Sequence, residues 1–217
     1  MRFPIEGEQR PTDVRERTSS MTETPNAPKV RVIREGSLVR EGSVVLDASS
    51  TVTLVEVSGQ RLIVDTGSSR DFDSLSASFK KMEIPPDSIE FVVNTHLHSD
   101  HIGGNGMFPN ARVVAHAFES PPIGSMRVTE RVQLLPHIEI VPTPGHSAGS
   151  ISVFVSADKN IAICGDAIPT RENYEKHVPP SININPALAI KSLDMIIGWA
   201  KVIIPGHDTS FEVRTKK

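Results

Sequence analysis

The chain has 217 residues, a formal net charge of −3, eight histidines and a single cysteine. That length suits one well-buried core and leaves no room for a second domain of ordinary size, and the slight acidity gives no global basic footprint for a polyanion. One cysteine excludes an internal disulfide framework and fits a reducing, cytoplasmic setting, while no run approaches the eighteen apolar residues of a membrane span.

Residues 1–28 are polar and charged, mixing Arg, Glu, Thr and Pro without apolar periodicity. They read as a flexible tail that lacks the apolar segment of a secretory signal, with Met21 as an alternative start. From Lys29 to the end the chain reads as one domain. Strands are expected at Val30 to Ile33, Val44 to Leu46, Ser50 to Val57 and Arg61 to Val64, with Ser58-Gly59-Gln60 turning the last two into a hairpin. Arg70 to Met82 places Phe72, Leu75, Phe79 and Met82 at spacings of three and four, which predicts an amphipathic helix stopped by Ile84-Pro85-Pro86-Asp87. Glu90 to Asn94 is a short apolar run ending in polar residues, a buried strand that delivers its carboxyl end to a loop. Arg112 to Ala115, Ile138 to Val141, Ile161 to Cys164 and Val202 to Ile204 read as further strands, and Ala187 to Ile197 as a core helix.

The loop after Asn94 carries the chemistry. Thr95-His96-Leu97-His98-Ser99-Asp100-His101 packs three imidazoles and a carboxylate into six residues. Four metal-capable side chains that close cannot all face one ion in a tight tetrahedron, but they can divide between two adjacent ions. Ser99 is expected to cap the short turn that follows, and Gly103, Gly104 and Gly106 let backbone approach the site. Three downstream strand-end turns add ligands: Pro144-Gly145-His146, Gly165-Asp166 and Pro205-Gly206-His207. His116, His137 and His177 stand outside these patterns and read as structural or surface residues, Cys164 as a buried strand cysteine and Asp208 as a turn cap.

Val64-Asp65-Thr66-Gly67, the H-x-H-x-D-H segment and the three downstream turns occur in the order found in the metallo-β-lactamase superfamily, which the chain resembles over residues 30 to 213. Thr95 to Ala111 and the ending from Pro205 to Val213 are most similar to its small single-domain members, called metallo-β-lactamase domain-containing protein 1. The resemblance implies an α/β fold, a four-layer αββα sandwich with the metals at one edge. It implies that His96, His98 and His146 hold one ion, that Asp100, His101 and His207 hold the other, and that Asp166 bridges them. Asp65 is implied to orient the histidine loop from behind. Five imidazoles and two carboxylates suit two zinc ions best, and are compatible with iron or manganese. Asp100 is expected to pass on a proton as well as ligate.

The expected reaction is hydrolysis of a small ester, thioester, lactone or amide-like substrate, β-lactams included, by a metal-activated hydroxide. With a span of 41 positions from Asp166 to His207 and ten residues after His207, the sequence predicts no inserted or appended substrate-gripping domain. A nuclease acting on RNA is the alternative, disfavoured by the acidic balance and by the lack of a basic cluster near the ligands. A mononuclear iron sulfur oxygenase is a third reading. Ile168 to Pro186, which contains the only tyrosine, Tyr174, and the hairpin at Ser58 are expected to wall the substrate cleft. A homodimer is compatible with the sequence.

Overall fold

A computed structural model describes residues 27–42 and 44–214, so the expected tail lies outside the described residues except for its last two positions. The strands are β1 (Lys29–Arg34), β2 (Ser37–Glu41), β3 (Val44–Ser49), β4 (Val52–Val57) and β5 (Gln60–Val64), followed by helix α1 (Phe72–Lys81). Then come β6 (Phe91–Val93), α2 (Ser99–Ile102), β7 (Arg112–His116), β8 (Met126–Val128), β9 (Val132–Leu135) and β10 (Ile138–Pro142). The chain continues through β11 (Ile151–Ser156), β12 (Asn160–Gly165), α3 (Arg171–Lys176), α4 (Pro186–Trp199), β13 (Val202–Pro205) and β14 (Phe211–Glu212).

Two mixed sheets of six strands form, ordered β1-β4-β5-β6-β7-β8 and β14-β13-β12-β11-β10-β9. Alternation along each strand sends one set of side chains between the sheets and the other set outward. Val55, Val57, Leu62, Val64 and Val93 meet Ile140, Ile151, Val153, Ile163 and Ile204 in the central core. The opposite face of the first sheet, Val52, Leu54 and Ile63, packs under Leu75 and Phe79 of α1. On the second sheet Phe154, Ala162, Cys164 and Ile203 pack under Leu193 and Ile196 of α4. Both faces of both sheets are thus covered, which gives the expected αββα layering. It also explains why β4 and β11 are buried along almost their whole length. Fully burying one of these Leu, Ile or Phe side chains contributes roughly 1.5–3 kcal/mol, so Phe79→Ala, which empties the contact between α1 and its sheet, is expected to cost about 3–5 kcal/mol.

Local chemistry accounts for the ends of these elements. Ser58 and Gly59 both take positive φ, 51° and 80°, as a two-residue hairpin turn requires. The expected helix from Arg70 opens as a 3-10 turn over Ser69–Asp71 and becomes α-helical at Phe72. Phe72 then faces outward at 45% exposure, and Leu75 and Phe79 alone of the predicted stripe are fully buried. Helix α4 begins with Pro186 at its first turn behind an Asn185 side chain that accepts from Leu188 N–H.

Strands β5, β6 and β7 run parallel, as do β12 and β13, so their carboxyl ends lie together at one edge of the sandwich. Strands β2 and β3 join neither large sheet; they form a separate hairpin. No helix among the described residues is long and apolar enough to cross a membrane.

Candidate metal centre

Every expected ligand sits just past the carboxyl end of a strand. His96, His98, Asp100 and His101 follow β6, His146 follows β10, Asp166 follows β12 and His207 follows β13. His98, not Ser99, occupies the cap position of α2, whose single turn turns Asp100 and His101 toward the second sheet. Gly165, at φ 48°, closes the gap between the sheets: a Cβ there would lie 2.2 Å from Thr95 Oγ1.

The side chains converge as two groups sharing one carboxylate. In the first, His146 Nε2 lies 3.2 Å from His96 Nε2 and 3.1 Å from His98 Nδ1. In the second, His101 Nε2 lies 3.3 Å from His207 Nε2, and Asp100 Oδ2 is 3.5 Å from His207 Nε2. Asp166 stands between them, with Oδ1 3.1 Å from His207 Nε2 and 3.4 Å from His101 Nε2, and Oδ2 3.5 Å from His146 Nε2.

The far side of each ring decides what these contacts are. His146 Nδ1 donates to the Ile182 carbonyl at 2.8 Å, and His207 Nδ1 donates to the Ser49 carbonyl at 2.9 Å. His101 Nδ1 donates to Asp65 Oδ2 at 2.7 Å. A carbonyl can only accept, so in the neutral rings each Nε2 carries a lone pair aimed at the centre. Lone pairs facing one another at these distances repel unless a cation lies between them. Asp166 Oδ1 is buried with no hydrogen-bond partner, which is a second mark of an electron-pair donor built for a cation. With bonds of about 2.0–2.1 Å, a tetrahedral ion has donor–donor edges of roughly 3.3–3.4 Å, in the middle of the spacings here. The donor set fits divalent metal binding.

Asp65 braces this arrangement from behind. Its backbone takes φ 54°, and its carboxylate accepts from Thr95 N–H at 2.8 Å and Thr95 Oγ1 at 2.7 Å as well as from His101. Electrostatics follow the two groups. Burial lowers His96 well below the ordinary imidazole value, assisted by His101, and burial likewise lowers His146. Burial also opposes charge on His101, but Asp65 and Asp166 outweigh it and raise this imidazole well above its usual value. Asp166 similarly outweighs burial at His207. Burial of Asp166 is in turn overcome by His207 and His101, which hold its carboxyl well below the usual range.

A cleft of about 350 Å³ opens onto His98, Asp100, His146, Asp166 and His207. One wall is the β2–β3 hairpin, with Leu38, Arg40 and Leu46; the other is Pro180, Ser181 and Ile182. Arg40 Nη1 reaches across to Ser181 Oγ at 3.1 Å. Two sequence expectations are corrected here. The Ser58 turn lies at the amino end of β5, opposite the metal edge, and forms no part of the cleft. Tyr174 does not face the cleft either: its ring packs on Phe211 with centroids 5.1 Å apart, and its hydroxyl accepts from Arg214 N–H at 2.8 Å. Its neighbour Asn173, about 100° around α3, takes the cleft-facing position. His116 Nδ1 accepts from Phe118 N–H, and His177 pairs with Asp194 at the surface. Asp208 caps the start of α3 through Arg171 N–H. Glu119, unremarked in the sequence, accepts hydrogen bonds from two ligand loops at once.

A family model described as the metallo-β-lactamase superfamily matches residues 46–138. A probable metallo-hydrolase of Methanocaldococcus jannaschii is 36% identical over 180 residues, spanning 82% of this chain and 86% of its own length. Metallo-beta-lactamase domain-containing protein 1 of Xenopus laevis is 29% identical over 204 residues, covering 87% of this chain and 84% of that protein. An N-acyl homoserine lactonase of Bacillus thuringiensis is 30% identical over 161 residues, 64% of each chain. A crystal structure of the B. thuringiensis lactonase with N-decanoyl-L-homoserine bound superposes with a TM-score of 0.66 at 22% identity, over 84% of this chain and 93% of the other. Histidine and aspartate donors at the carboxyl edge of an αββα sandwich, and a relative this similar over most of both chains, mean that the chain belongs to the metallo-β-lactamase superfamily as one of its metal-dependent hydrolases.

Proposed function

We propose that the chain is a dinuclear, zinc-dependent hydrolase of small esters and lactones. The observation that carries this reading is the division of seven donors into His96/His98/His146 and Asp100/His101/His207 with Asp166 between them. Two ions held there supply a Lewis acid for a carbonyl oxygen and lower the pKa of water. The protein's part is orientation and exclusion. Asp65, the Ile182 carbonyl and the Ser49 carbonyl fix three rings, while Leu38, Leu46 and Ile182 offer apolar contact to an acyl group. Asp100, less buried than Asp166 and open to the cleft, is placed to accept or return a proton at Oδ2. The small volume favours a small-molecule substrate over a polymer, and the lactonase relatives favour a cyclic ester.

The test assays metal-replete protein in parallel against aryl esters, lactones, thioesters, β-lactams and RNA. Turnover of lactones or esters is expected. Efficient cleavage of RNA with the small substrates untouched would overturn the reading.

A further inference from the structure

Glu119 belongs to no ligand motif, yet it sits where the two loops of the three-histidine pocket meet. It ends the 3-10 turn Ala117–Glu119 that follows β7; His116 starts that turn, and Ser120, at φ 55°, stops it. Its Oε2 accepts from Leu97 N–H at 3.1 Å, and Leu97 stands between His96 and His98. Its Oε1 accepts from Ser147 Oγ at 2.6 Å and from Gly149 N–H at 3.0 Å, directly after His146. The approach depends on glycine, since a Cβ at position 149 would fall 2.7 Å from Glu119 Cγ. Ser147 N–H and Oγ are themselves held by Ser150 Oγ, at 3.1 and 2.7 Å, so the donor is fixed before the carboxylate meets it.

We propose that Glu119 is a positioning residue that clamps the His96–His98 loop to the His146 loop and so sets the affinity of the three-histidine pocket alone. The other pocket has separate braces: Asp65 behind His101 and the Ser49 carbonyl behind His207. Asp65 ties Thr95, and through its hydroxyl the edge of His96, to the His101 ring, whereas Glu119 alone ties the His96–His98 loop to the His146 loop. A charged acceptor serving three donors is hard to replace. A glutamine keeps one accepting oxygen and turns a donating amide toward whichever N–H or O–H remains, and an alanine leaves Leu97 and Gly149 N–H without a partner. Outer partners of this kind typically change metal affinity by about 10–100-fold.

The inference rests on the two-pocket reading, and one experiment separates the two. Zinc is titrated into metal-free wild type, Glu119→Ala, Glu119→Gln and Ser147→Ala against a chelator of known affinity, with cobalt absorption spectra and melting of the metal-free proteins recorded alongside. The expected result is one affinity weakened about 10–100-fold in Glu119→Ala and the other within about threefold of wild type. Glu119→Gln should be intermediate and Ser147→Ala milder, with the cobalt spectrum altered for one ion only. Equal weakening of both affinities with a matching fall in metal-free melting temperature would show a merely structural role and overturn the proposal, as would unchanged affinities in all variants. Binding of a single ion by wild type would instead defeat the dinuclear reading, and Glu119→Ala would still report whether that ion depends on the clamp.

Discussion

Asp65 Oδ2 lies 2.7 Å from His101 Nδ1 and so settles which nitrogen of that buried ring faces the site. The same carboxylate holds Thr95 through both its N–H and its hydroxyl, so one group fixes the start of the ligand loop and its last histidine. Asp65→Asn keeps the shape but replaces an accepting oxygen with a donating amide, which faces donors on Thr95 or His101. Affinity for the ion in the Asp100/His101/His207 pocket is expected to fall about 10–100-fold, measured by chelator competition. Retention of wild-type affinity would show that the loop holds itself.

Metal removal should lower stability, because ions that bind only the folded chain no longer stabilise it. Ions bound at a hundred times their dissociation constant stabilise the fold by about 2.7 kcal/mol each. Differential scanning calorimetry with and without a chelator checks this; coincident melting curves would mean that the cluster holds no ion in solution.

Loading should depend on pH differently in the two pockets. In the metal-free protein His101 and His207 are raised above the ordinary imidazole value, so they keep protons into the neutral range and an entering ion must displace them. His96 and His146 are lowered, so they are already free of protons there. Affinity of the Asp100/His101/His207 pocket is therefore expected to rise as pH passes upward through neutrality, and that of the three-histidine pocket to change little. The linked stability has the same sign logic: what His101 and His207 contribute to the metal-free fold is present below the unfolded imidazole pKa and lost as pH rises through their folded values. Calorimetric titration in buffers of different ionisation enthalpy counts the protons released; equal release by both ions would contradict the assignment.

Substrate preference should follow the cleft walls and not Tyr174. Ile182→Ala removes apolar contact at the mouth while leaving the backbone carbonyl that holds His146 in place. A loss of about 1 kcal/mol, or roughly fivefold in kcat/KM for acyl substrates, is expected, with metal content unchanged. Tyr174→Phe removes only the acceptor for Arg214 N–H, so it should leave kcat/KM alone and cost no more than about 1 kcal/mol of stability. A change of substrate profile in Tyr174→Phe would return that residue to the site.

The clustered donors were legible in the sequence because each motif is local: a strand, a turn stiffened by Pro and Gly, then a donor. The αββα layering could be expected from the resemblance, and the near-complete burial of β4 and β11 agrees with it. The cleft was legible only in part: Pro169, Asn173 and Pro180 to Ile182 of the expected segment line it, but the second wall is not the Ser58 turn. The resemblance put Asp65 behind the histidine loop, and the two ends of the five-residue β5 are about 17 Å apart, so the Ser58 turn at its other end could not also wall the site. Nor does spacing reveal that β2 and β3 leave both large sheets to cover the site. Tyr174 and Asn173 are adjacent in sequence, and only the packing of α3 against Phe211 decides which one faces the cleft. Glu119 had no sequence signal at all, because its partners lie 22 to 30 positions away on two other loops.

The most direct test of the central claim is the metal content of the purified, metal-replete chain by elemental analysis. Two zinc ions per chain are predicted, falling toward one or fewer in Asp166→Asn, where the shared carboxylate is lost. A single ion per wild-type chain at saturation, or one iron with no zinc, would contradict the account.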